Sequence, residues 1–267
     1  MIGVFDSGFG GLTILKGLLE KLPYYDFVYL GDNARNPYGP RSAEEIFQFT
    51  LEGVEALFRR GCPLVILACN TSSANALRRI QQEVLPKKYP DHRVLGILVP
   101  TIEQLEEGSV VGILATEATV RSSAYVKEAA EKNPSVTIMQ QACPNLVPLI
   151  ERGASDEELA SEVRGYLEAL FARRGAVAPL IDTVLLGCTH YALIAGLISQ
   201  ELPKGVKLLG QSAIVAEALA DYLVRHPEIE SRLTKGGLRT FLTTGNAAEV
   251  SQLGSRFFGQ DISFQSV

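Results

Sequence analysis

Two cysteines in this chain of 267 residues lie in segments that share one pattern. Residues 65–71 read Val-Ile-Leu-Ala-Cys-Asn-Thr, and residues 184–190 read Val-Leu-Leu-Gly-Cys-Thr-His. In each segment an apolar run predicts a buried strand, a small residue precedes the cysteine, and polar residues open a helix. N–H groups at a helix N-terminus favour thiolate and lower a cysteine pKa from about 8.5. The repetition predicts that Cys69 and Cys188 are two reactive thiols.

Two acid/base groups on opposite faces of one carbon atom are what inversion of a stereocentre requires. If the two segments face each other across a cleft, one thiol can remove a proton and the other can deliver a proton to the far side. A lone cysteine is more often an inert buried residue, but two in matching contexts favour a functional pair. Cys62 and Cys143 lack this context, and we predict that they are inert.

A glycine-rich segment follows the first predicted strand and opens a helix. Residues 6–11 read Asp-Ser-Gly-Phe-Gly-Gly, which fits neither G-x-G-x-x-G nor G-x-x-x-x-G-K-[ST]. We therefore expect its backbone N–H groups to hold a carboxylate rather than a nucleotide. The polar loop 31–39 follows the second predicted strand at the same sheet edge. The pattern alone leaves open whether this loop is functional or merely solvated.

Two further titratable residues are candidates of different strength. His190 follows Cys188 by two positions, and beside a reactive cysteine it is a candidate proton partner or substrate contact. Glu151 lies in the segment Leu-Ile-Glu-Arg-Gly and on its own resembles a surface carboxylate. The sequence pattern therefore favours a site role for His190 and not for Glu151.

Apolar runs alternate with amphipathic stretches along nearly the whole chain. This alternation predicts right-handed β-α-β units, a mostly parallel sheet and helices on its faces. Strands are predicted at 2–5, 27–30, 64–68, 110–115, 183–187 and 206–209. Helices are predicted at 12–22, 43–59, 72–84, 122–132, 156–173, 191–201 and 212–224.

A second echo, between residues 2–7 and 111–116, indicates that the chain repeats itself. We predict an α/β fold of two similar domains, each with a mostly parallel sheet flanked by helices and with the active site in the cleft between them. The first domain is predicted to span 1–95 plus 209–267 and to carry Cys69. The second is predicted to span 96–208 and to carry Cys188.

Composition excludes several other classes of protein. The net charge of −5 shows no long run of one sign, which argues against nucleic acid or a membrane surface as a partner. The N-terminus lacks the basic region of a signal peptide, and no apolar run approaches the roughly 18 residues of a membrane span. We therefore expect a cytoplasmic protein with reduced thiols. The usual zinc spacings are absent, so no metal site is predicted.

These motifs together strongly resemble the glutamate racemase family, which serves bacterial cell-wall precursor synthesis. The resemblance runs in the same order through nearly the whole chain. It rests on segments 5–11, 31–32 with 37–39, 68–71, 115–119, 142–144 with Glu151, and 187–191. It implies a two-domain α/β isomerase that holds glutamate between its domains, needs no cofactor and supplies D-glutamate for peptidoglycan and cell shape.

The resemblance also implies roles for individual residues. Cys69 would act on D-glutamate and Cys188 on L-glutamate, with Asp6 assisting the first thiol and Glu151 and His190 the second. Glu151 is thereby promoted from a surface residue to a residue of the site. The implied substrate site consists of Asp6, Ser7, Tyr38, Gly39, Asn70, Thr71, Thr116, Thr119, Thr189 and His190.

Two alternatives remain beside this interpretation. The chain could be an aspartate racemase or another two-cysteine racemase or isomerase of the same superfamily. It could also be a non-catalytic binding module, although binding alone does not need a thiol at both strand ends. Gln211 departs from the Asp that the family often has before Ser212, which leaves the local role of that position open. The sequence also leaves open whether the protein forms a homodimer.

Overall fold

The computed structural model describes residues 1–173 and 180–267 of the chain. Ten strands lie in these residues, and each hydrogen-bonded pair of them is parallel. They are β1 (Ile2–Asp6), β2 (Phe27–Gly31), β3 (Leu64–Leu67), β4 (Arg93–Gly96), β5 (Val110–Ala115), β6 (Thr137–Ala142), β7 (Thr183–Gly187), β8 (Lys207–Leu209), β9 (Arg239–Thr243) and β10 (Phe264–Ser266).

Helices cover both faces of the strands. They are α1 (Leu12–Lys21), α2 (Ala43–Arg59), α3 (Asn70–Asn75), α4 (Leu77–Arg79), α5 (Leu85–Lys88), α6 (Leu98–Glu103), α7 (Glu117–Ser122), α8 (Ala124–Lys132), α9 (Leu146–Arg152), α10 (Asp156–Ala172), α11 (Ala195–Glu201), α12 (Ser212–Arg225), α13 (Pro227–Glu230) and α14 (Ala247–Phe258). A π-helical turn covers Ile80–Val84, and a 3-10 helix covers Thr189–Ile194. Within residues 1–173 and 180–267, no helix is both long and apolar enough to cross a membrane.

The strands form a six-stranded sheet and a four-stranded sheet, and four strands of the first are arranged in the same order as those of the second. The first sheet is β10-β9-β2-β1-β3-β4, and the second is β6-β5-β7-β8. The run β2-β1-β3-β4 of the first sheet therefore corresponds to β6-β5-β7-β8 of the second. The two sequence echoes fall on the corresponding strands β1 and β5, and β3 and β7. The predicted α/β class, with two mostly parallel sheets flanked by helices, is confirmed.

The side chains of the central strands alternate between separate cores. Val4 of β1 and Ile113 of β5 belong to one apolar cluster, which also contains residues of α1 and α12 and so connects the two sheets. The next residues in the same strands, Phe5 and Leu114, point into the cores on the outer faces. Because all these strands are buried on both faces, they read in the sequence as continuous apolar runs.

Local sequence explains where the long outer helix α2 begins and why it packs. The hydroxyl of Ser42 accepts a hydrogen bond from the Glu45 N–H, and the Glu45 carboxylate accepts one from the Ser42 N–H. This reciprocal pair satisfies two N–H groups that the first helical turn leaves free. Ile46 and Leu57 then bury their side chains in the outer core of the six-stranded sheet.

Several predicted elements differ from those observed. The predicted helix 72–84 is divided into α3, α4 and the π-helical turn, and it begins earlier, at Asn70. The predicted helix 191–201 starts instead as the 3-10 helix, and α-helical geometry begins at Ala195. Strands β4, β6, β9 and β10 were not predicted. Strand β6 lies at a sheet edge with most of its side chains partly exposed, so it lacks a continuous apolar run.

Candidate active site

Cys69 lies where the chain leaves β3 and enters α3. It is the N-cap residue of α3, and its Sγ accepts a hydrogen bond from the Ser72 N–H at 3.4 Å. The Ser7 hydroxyl lies 3.5 Å from the same sulfur. Burial and the nearby Asp6 carboxylate raise the pKa of the Cys69 thiol to about 11, although these hydrogen bonds oppose the shift. The predicted lowering of this pKa is therefore wrong, because desolvation outweighs the helix N-terminus.

Cys188 occupies the corresponding place after β7, but its surroundings differ. It precedes the 3-10 helix, and its side chain makes no capping hydrogen bond there. Its Sγ lies 4.0 Å from Nδ1 of His190, and both side chains are buried. The sequence echo therefore places the two thiols at equivalent strand ends, but it does not give them equivalent neighbours.

His190 connects Cys188 to a carboxylate. Its Nε2 lies 2.9 Å from Oε1 of Glu151, which also accepts a hydrogen bond of 2.7 Å from the side-chain amide of Asn36. Burial lowers the pKa of His190, but its contacts with Cys188 and Glu151 outweigh burial and raise the pKa to about 10. The imidazole beside Cys188 is therefore held in its charged form near neutral pH.

Asp6 lies at the end of β1 and is wholly buried. Its carboxylate accepts hydrogen bonds from the Gly8 N–H at 2.9 Å and from the Thr189 hydroxyl at 3.3 Å. Burial raises the pKa of Asp6, while His190 and the hydrogen bonds oppose the shift. Asp6 thus contacts the segment of Cys188 while its charge also acts on Cys69.

The glycine-rich segment lets the two sheets approach closely. A Cβ atom at Gly10 would lie 2.2 Å from the Thr189 hydroxyl and 2.6 Å from Nδ1 of His190. The Gly8 N–H donates to Asp6 rather than to an external anion. Ser7 remains as the residue of this segment that faces the cavity described below.

Hydroxyl groups from both sheets meet beside Cys69. The hydroxyls of Thr71 and Thr116 lie 2.8 Å apart, and that of Thr119 lies 3.0 Å from Thr116. Because each hydroxyl can donate or accept, this buried group can adapt to either hydrogen-bonding sense.

Asn70 is fixed by a buried network that includes Gln211. The amide of Asn70 donates to Gln211 at 2.8 Å, and its carbonyl oxygen accepts from the Tyr125 hydroxyl at 2.5 Å. The Gln211 amide in turn donates to Thr101 at 2.9 Å and to Tyr125 at 3.0 Å. The role left open for position 211 is thus to hold Asn70 beside Cys69.

The loop after β2 borders the same region. Tyr38 is buried, and its hydroxyl donates to Asp32 at 2.5 Å, so this hydroxyl already has a protein partner. The Gly39 carbonyl accepts a hydrogen bond from the Ala118 N–H at the start of α7. The loop therefore docks on an element that follows β5 of the other sheet and is not merely solvated.

A small cavity of about 40 Å³ lies between Cys69 and Cys188. Eight predicted site residues besides these two cysteines line it, namely Ser7, Tyr38, Gly39, Asn70, Thr71, Thr116, Thr189 and His190. Asp6 and Thr119 are wholly buried behind the lining, where they contact Thr189 and Thr116. Glu151 lies behind His190. The structure thus brings all the predicted site residues together, some of them as supports.

Other residues of the lining were not predicted as part of the site. They are Asn36, Pro37, Pro40, Glu117, Cys143, Pro144, Val147 and Pro148. Cys143, predicted to be inert, is buried, and its thiol donates to the Gln141 carbonyl at 3.5 Å. Burial raises the pKa of this thiol, so it is kept protonated although it borders the cavity. Across residues 1–173 and 180–267, no group of three His, Cys, Asp or Glu side chains is placed to hold a metal ion.

Comparison with known proteins identifies the class that this fold and site define. A family model described as Asp/Glu/Hydantoin racemase matches residues 16–219. The class is therefore that of the Asp/Glu/Hydantoin racemases, which are isomerases.

Individual relatives narrow the class. The glutamate racemase of Phenylobacterium zucineum is 43% identical, and the alignment covers 99% of each chain. The crystal structure of a glutamate racemase isoform from Bacillus anthracis has a TM-score of 0.87 at 31% identity, covering 100% of this chain and 97% of that one. The glutamate racemase of Francisella tularensis, solved in complex with D-glutamate, has a TM-score of 0.84 at 32% identity, covering 100% and 96%. The chain belongs to the glutamate racemase family.

Proposed function

We propose that this protein interconverts L-glutamate and D-glutamate by proton transfer between Cys69 and Cys188, without a cofactor. The observation that carries the proposal is that the two thiols, one at the end of a strand in each sheet, line the same cavity. Ligands of parallel α/β sheets bind at this edge, outside the carboxyl ends of the strands. A substrate carbon between the thiols would have an acid/base group on each face.

In the direction from L to D, the Cys188 thiolate removes the α-proton, and the electron pair of the C–H bond passes to the α-carbon and its carboxylate. The Cys69 thiol then delivers its proton to the opposite face. Its pKa of about 11 suits this step, because a thiol with that pKa is protonated near neutral pH. The reaction leaves Cys188 protonated and Cys69 as thiolate, so protons exchange with water before the next turnover in the same direction.

The neighbours of each thiol would assist it. The His190 imidazolium beside Cys188 stabilises the thiolate form, and Glu151 orients the imidazole through its other nitrogen. On the other side, Asp6 is the buried carboxylate whose charge acts on Cys69. We propose Asp6 as the group that assists proton transfer at Cys69, with Glu151 and His190 in that role at Cys188.

The polar lining is suited to hold the two carboxylates and the amino group of glutamate. Hydroxyl and amide donors are provided by Ser7, Asn70, Thr71, Thr116 and Thr189, with Tyr38 and Gly39 completing the lining. Thr119 supports Thr116 from behind. A site built to hydrogen-bond one group rejects analogues that lack it or place it differently. We therefore expect a clear preference for glutamate over glutamine and aspartate, and comparable turnover of aspartate would favour the rival racemase.

The decisive test follows the proton. L-glutamate is converted in heavy water, the reaction is stopped early, and the separated enantiomers are analysed by mass spectrometry. D-glutamate should carry deuterium at the α-carbon, because Cys69 delivers a solvent-derived proton. Unconverted L-glutamate should remain almost unlabelled, since Cys188 returns the proton that it took. Unlabelled product, or substrate labelled as fast as product, would contradict the division of work between the thiols.

The biological setting is part of the same proposal. We propose that the protein acts in the cytoplasm and supplies D-glutamate for peptidoglycan precursors, and hence for cell-wall biogenesis and cell shape. Its domains are proposed as 1–95 plus 209–267 and 96–208, which is supported by the membership of β9 and β10 in the six-stranded sheet. A homodimer stays a prediction that sedimentation would test, and no contact with nucleic acid or membrane is proposed.

A further inference from the structure

Asn36 makes a hydrogen bond that joins a loop of one sheet to a helix of the other. It lies in the loop after β2 of the six-stranded sheet, half-buried, and it lines the cavity. Its side-chain amide donates to Oε1 of Glu151 at 2.7 Å, and Glu151 lies in α9, after β6 of the four-stranded sheet. Asn36 thus contacts Glu151, which is 115 positions away in sequence and lies behind the cavity.

The same carboxylate oxygen also contacts His190. Nε2 of His190 lies 2.9 Å from Oε1 of Glu151, and Nδ1 of His190 lies 4.0 Å from the sulfur of Cys188. A continuous series of contacts therefore runs from Asn36 through Glu151 and His190 to Cys188. Asn36 is the member of this series that comes from the opposite sheet.

The side chain of Asn36 is itself confined. A Cβ atom at Gly8 would lie 3.1 Å from both Cγ and Oδ1 of Asn36, so the glycine leaves just enough room for the amide. An amide donor fixes the Glu151 oxygen without adding a charge that would compete with His190 for it. Its chemistry is thus suited to orienting the carboxylate and leaving the pairing with the imidazole intact.

We propose that Asn36 is a positioning residue that sets Glu151, and through it His190, for proton transfer at Cys188. The inference rests on the proposed two-thiol racemisation of glutamate. Because the donor belongs to the loop after β2 and the acceptor to helix α9 of the other sheet, the contact is made when these two segments are together. The assisting groups of Cys188 are therefore fully assembled in the closed cleft, whereas the contacts of Cys69 with Ser7 and Ser72 lie within segments of the six-stranded sheet.

A kinetic measurement separates this role from a general loosening of the structure. L- and D-glutamate have equal free energies, so kcat/KM must fall equally in both directions in any variant. The primary isotope effects need not change equally. If proton transfer at Cys188 is slowed, the isotope effect with α-deuterated L-glutamate rises, because breaking its Cα–D bond becomes more rate-limiting. The isotope effect with α-deuterated D-glutamate falls, because removal of its α-deuteron by Cys69 becomes less rate-limiting.

The variants are Asn36→Ala and Asn36→Asp, with Asn33→Ala as the matched control. Asn33 lies in the same loop, but its carbonyl oxygen accepts from Thr243 inside the six-stranded sheet. Loss of a hydrogen bond to a charged group should lower kcat/KM about tenfold in Asn36→Ala. Asn36→Asp should lose more, because it places a second carboxylate against Glu151. Asn33→Ala should leave both isotope effects as in the unchanged protein.

A double-mutant cycle with Glu151→Ala completes the test. If Asn36 acts through Glu151, then Asn36→Ala should have little further effect on kcat/KM once Glu151 is alanine. Opposite shifts of the two isotope effects and this non-additivity are the expected result. Isotope effects that move together, or losses that multiply in the double variant, would overturn the inference. If the unchanged protein fails to racemise glutamate, the proposed function fails, and this inference with it.

Discussion

The surroundings of Cys69 and of Cys188 differ although both thiols end corresponding strands and border one cavity. Cys69 has hydroxyl, backbone N–H and carboxylate neighbours, and burial with the Asp6 charge raises its pKa to about 11. Cys188 instead has an imidazole, which is itself paired with a carboxylate. The surroundings of Cys69 therefore favour a protonated thiol, whereas Cys188 has a charged imidazole beside it.

This difference teaches that a repeated backbone can carry complementary chemistry. A reaction that removes a proton on one face and then adds one on the other needs a base on the first face and an acid on the second at the start of each turnover. Two identical surroundings would favour the same protonation state for both thiols. The unequal neighbours instead keep Cys69 protonated and place a charged imidazole beside Cys188.

The largest expected effect comes from removing either thiol. Cys69→Ser and Cys188→Ser should each reduce racemisation by at least about 10²- to 10⁴-fold with the fold intact, because a serine hydroxyl is a far weaker acid and base. Chiral chromatography measures the activity, and circular dichroism checks the fold. Cys62→Ser and Cys143→Ser are the matched controls and should remain active. A Cys188→Ser protein that racemises at the original rate would contradict the two-thiol mechanism.

Replacing the supporting carboxylates should separate the two sides. Asp6→Asn should slow proton transfer at Cys69, and Glu151→Gln should slow it at Cys188, each by about 10- to 100-fold. Isotope effects with α-deuterated D- and L-glutamate measure this. The effect should rise with D-glutamate for Asp6→Asn and with L-glutamate for Glu151→Gln. The same pattern in both variants would mean that the supports are shared.

His190 on the Cys188 side and Cys69 on the other side should affect the free energy of unfolding in different pH ranges. A folded-state pKa raised above the unfolded value gives stabilisation that is complete below the unfolded pKa and lost as pH rises through the folded one. The pKa of His190 is raised from 6.5 to about 10, so its contribution to the free energy of unfolding should be lost between pH 6.5 and 10. The pKa of Cys69 is raised from 9.0 to about 11, so its contribution should be lost between pH 9 and 11. Urea unfolding of His190→Gln and Cys69→Ser against pH measures this.

In the pH range of the group that it lacks, each variant should show a free energy of unfolding that depends less on pH than that of the unchanged protein. Cys62→Ser serves as a comparison, because burial raises the pKa of Cys62 to about 11 as well, away from the cavity. A His190→Gln protein with the original slope between pH 6.5 and 10 would show that the imidazole is not held charged in the folded state.

The smallest expected effect is that of removing metal ions. Dialysis against a chelator should leave the activity unchanged, since the proposed transfers use side chains of the protein alone. Absorbance spectra of the purified protein should lack the visible band of pyridoxal phosphate. An enzyme that stays inactive until a metal ion or pyridoxal phosphate is returned would require a different mechanism for either side.

The sequence predicted the features that depend on short apolar runs and repeated motifs. Both cysteines were placed at strand ends because buried parallel strands are continuous apolar segments, and the second echo correctly paired β1 with β5. The two-sheet α/β class followed from the same alternation. The sequence could not show that Cys188 enters a 3-10 helix, because its flanking residues resemble those of Cys69.

Features that depend on contacts distant in sequence could not be predicted. Asn36 is an ordinary loop residue in the sequence, and only the packing of its loop against α9 brings the Glu151 carboxylate within 2.7 Å of its amide. The raised pKa of Cys69 likewise depends on how deeply the turn is buried. The sequence indicates the helix N-terminus, which lowers this pKa, but not the burial, which raises it. The contact with Asn70 that Gln211 makes arises in the same way from tertiary packing.

The small size of the cavity sets a condition on turnover. Pockets that enclose ligands usually measure about 300–1,000 Å³, whereas this cavity measures about 40 Å³. We expect glutamate to enter through a wider conformation, in which contacts across the cleft such as that of Thr189 with Asp6 are broken. The measured affinity is then the intrinsic affinity reduced by the population of the wider state. Its opening rate is a ceiling on kcat that no improvement in proton transfer can exceed.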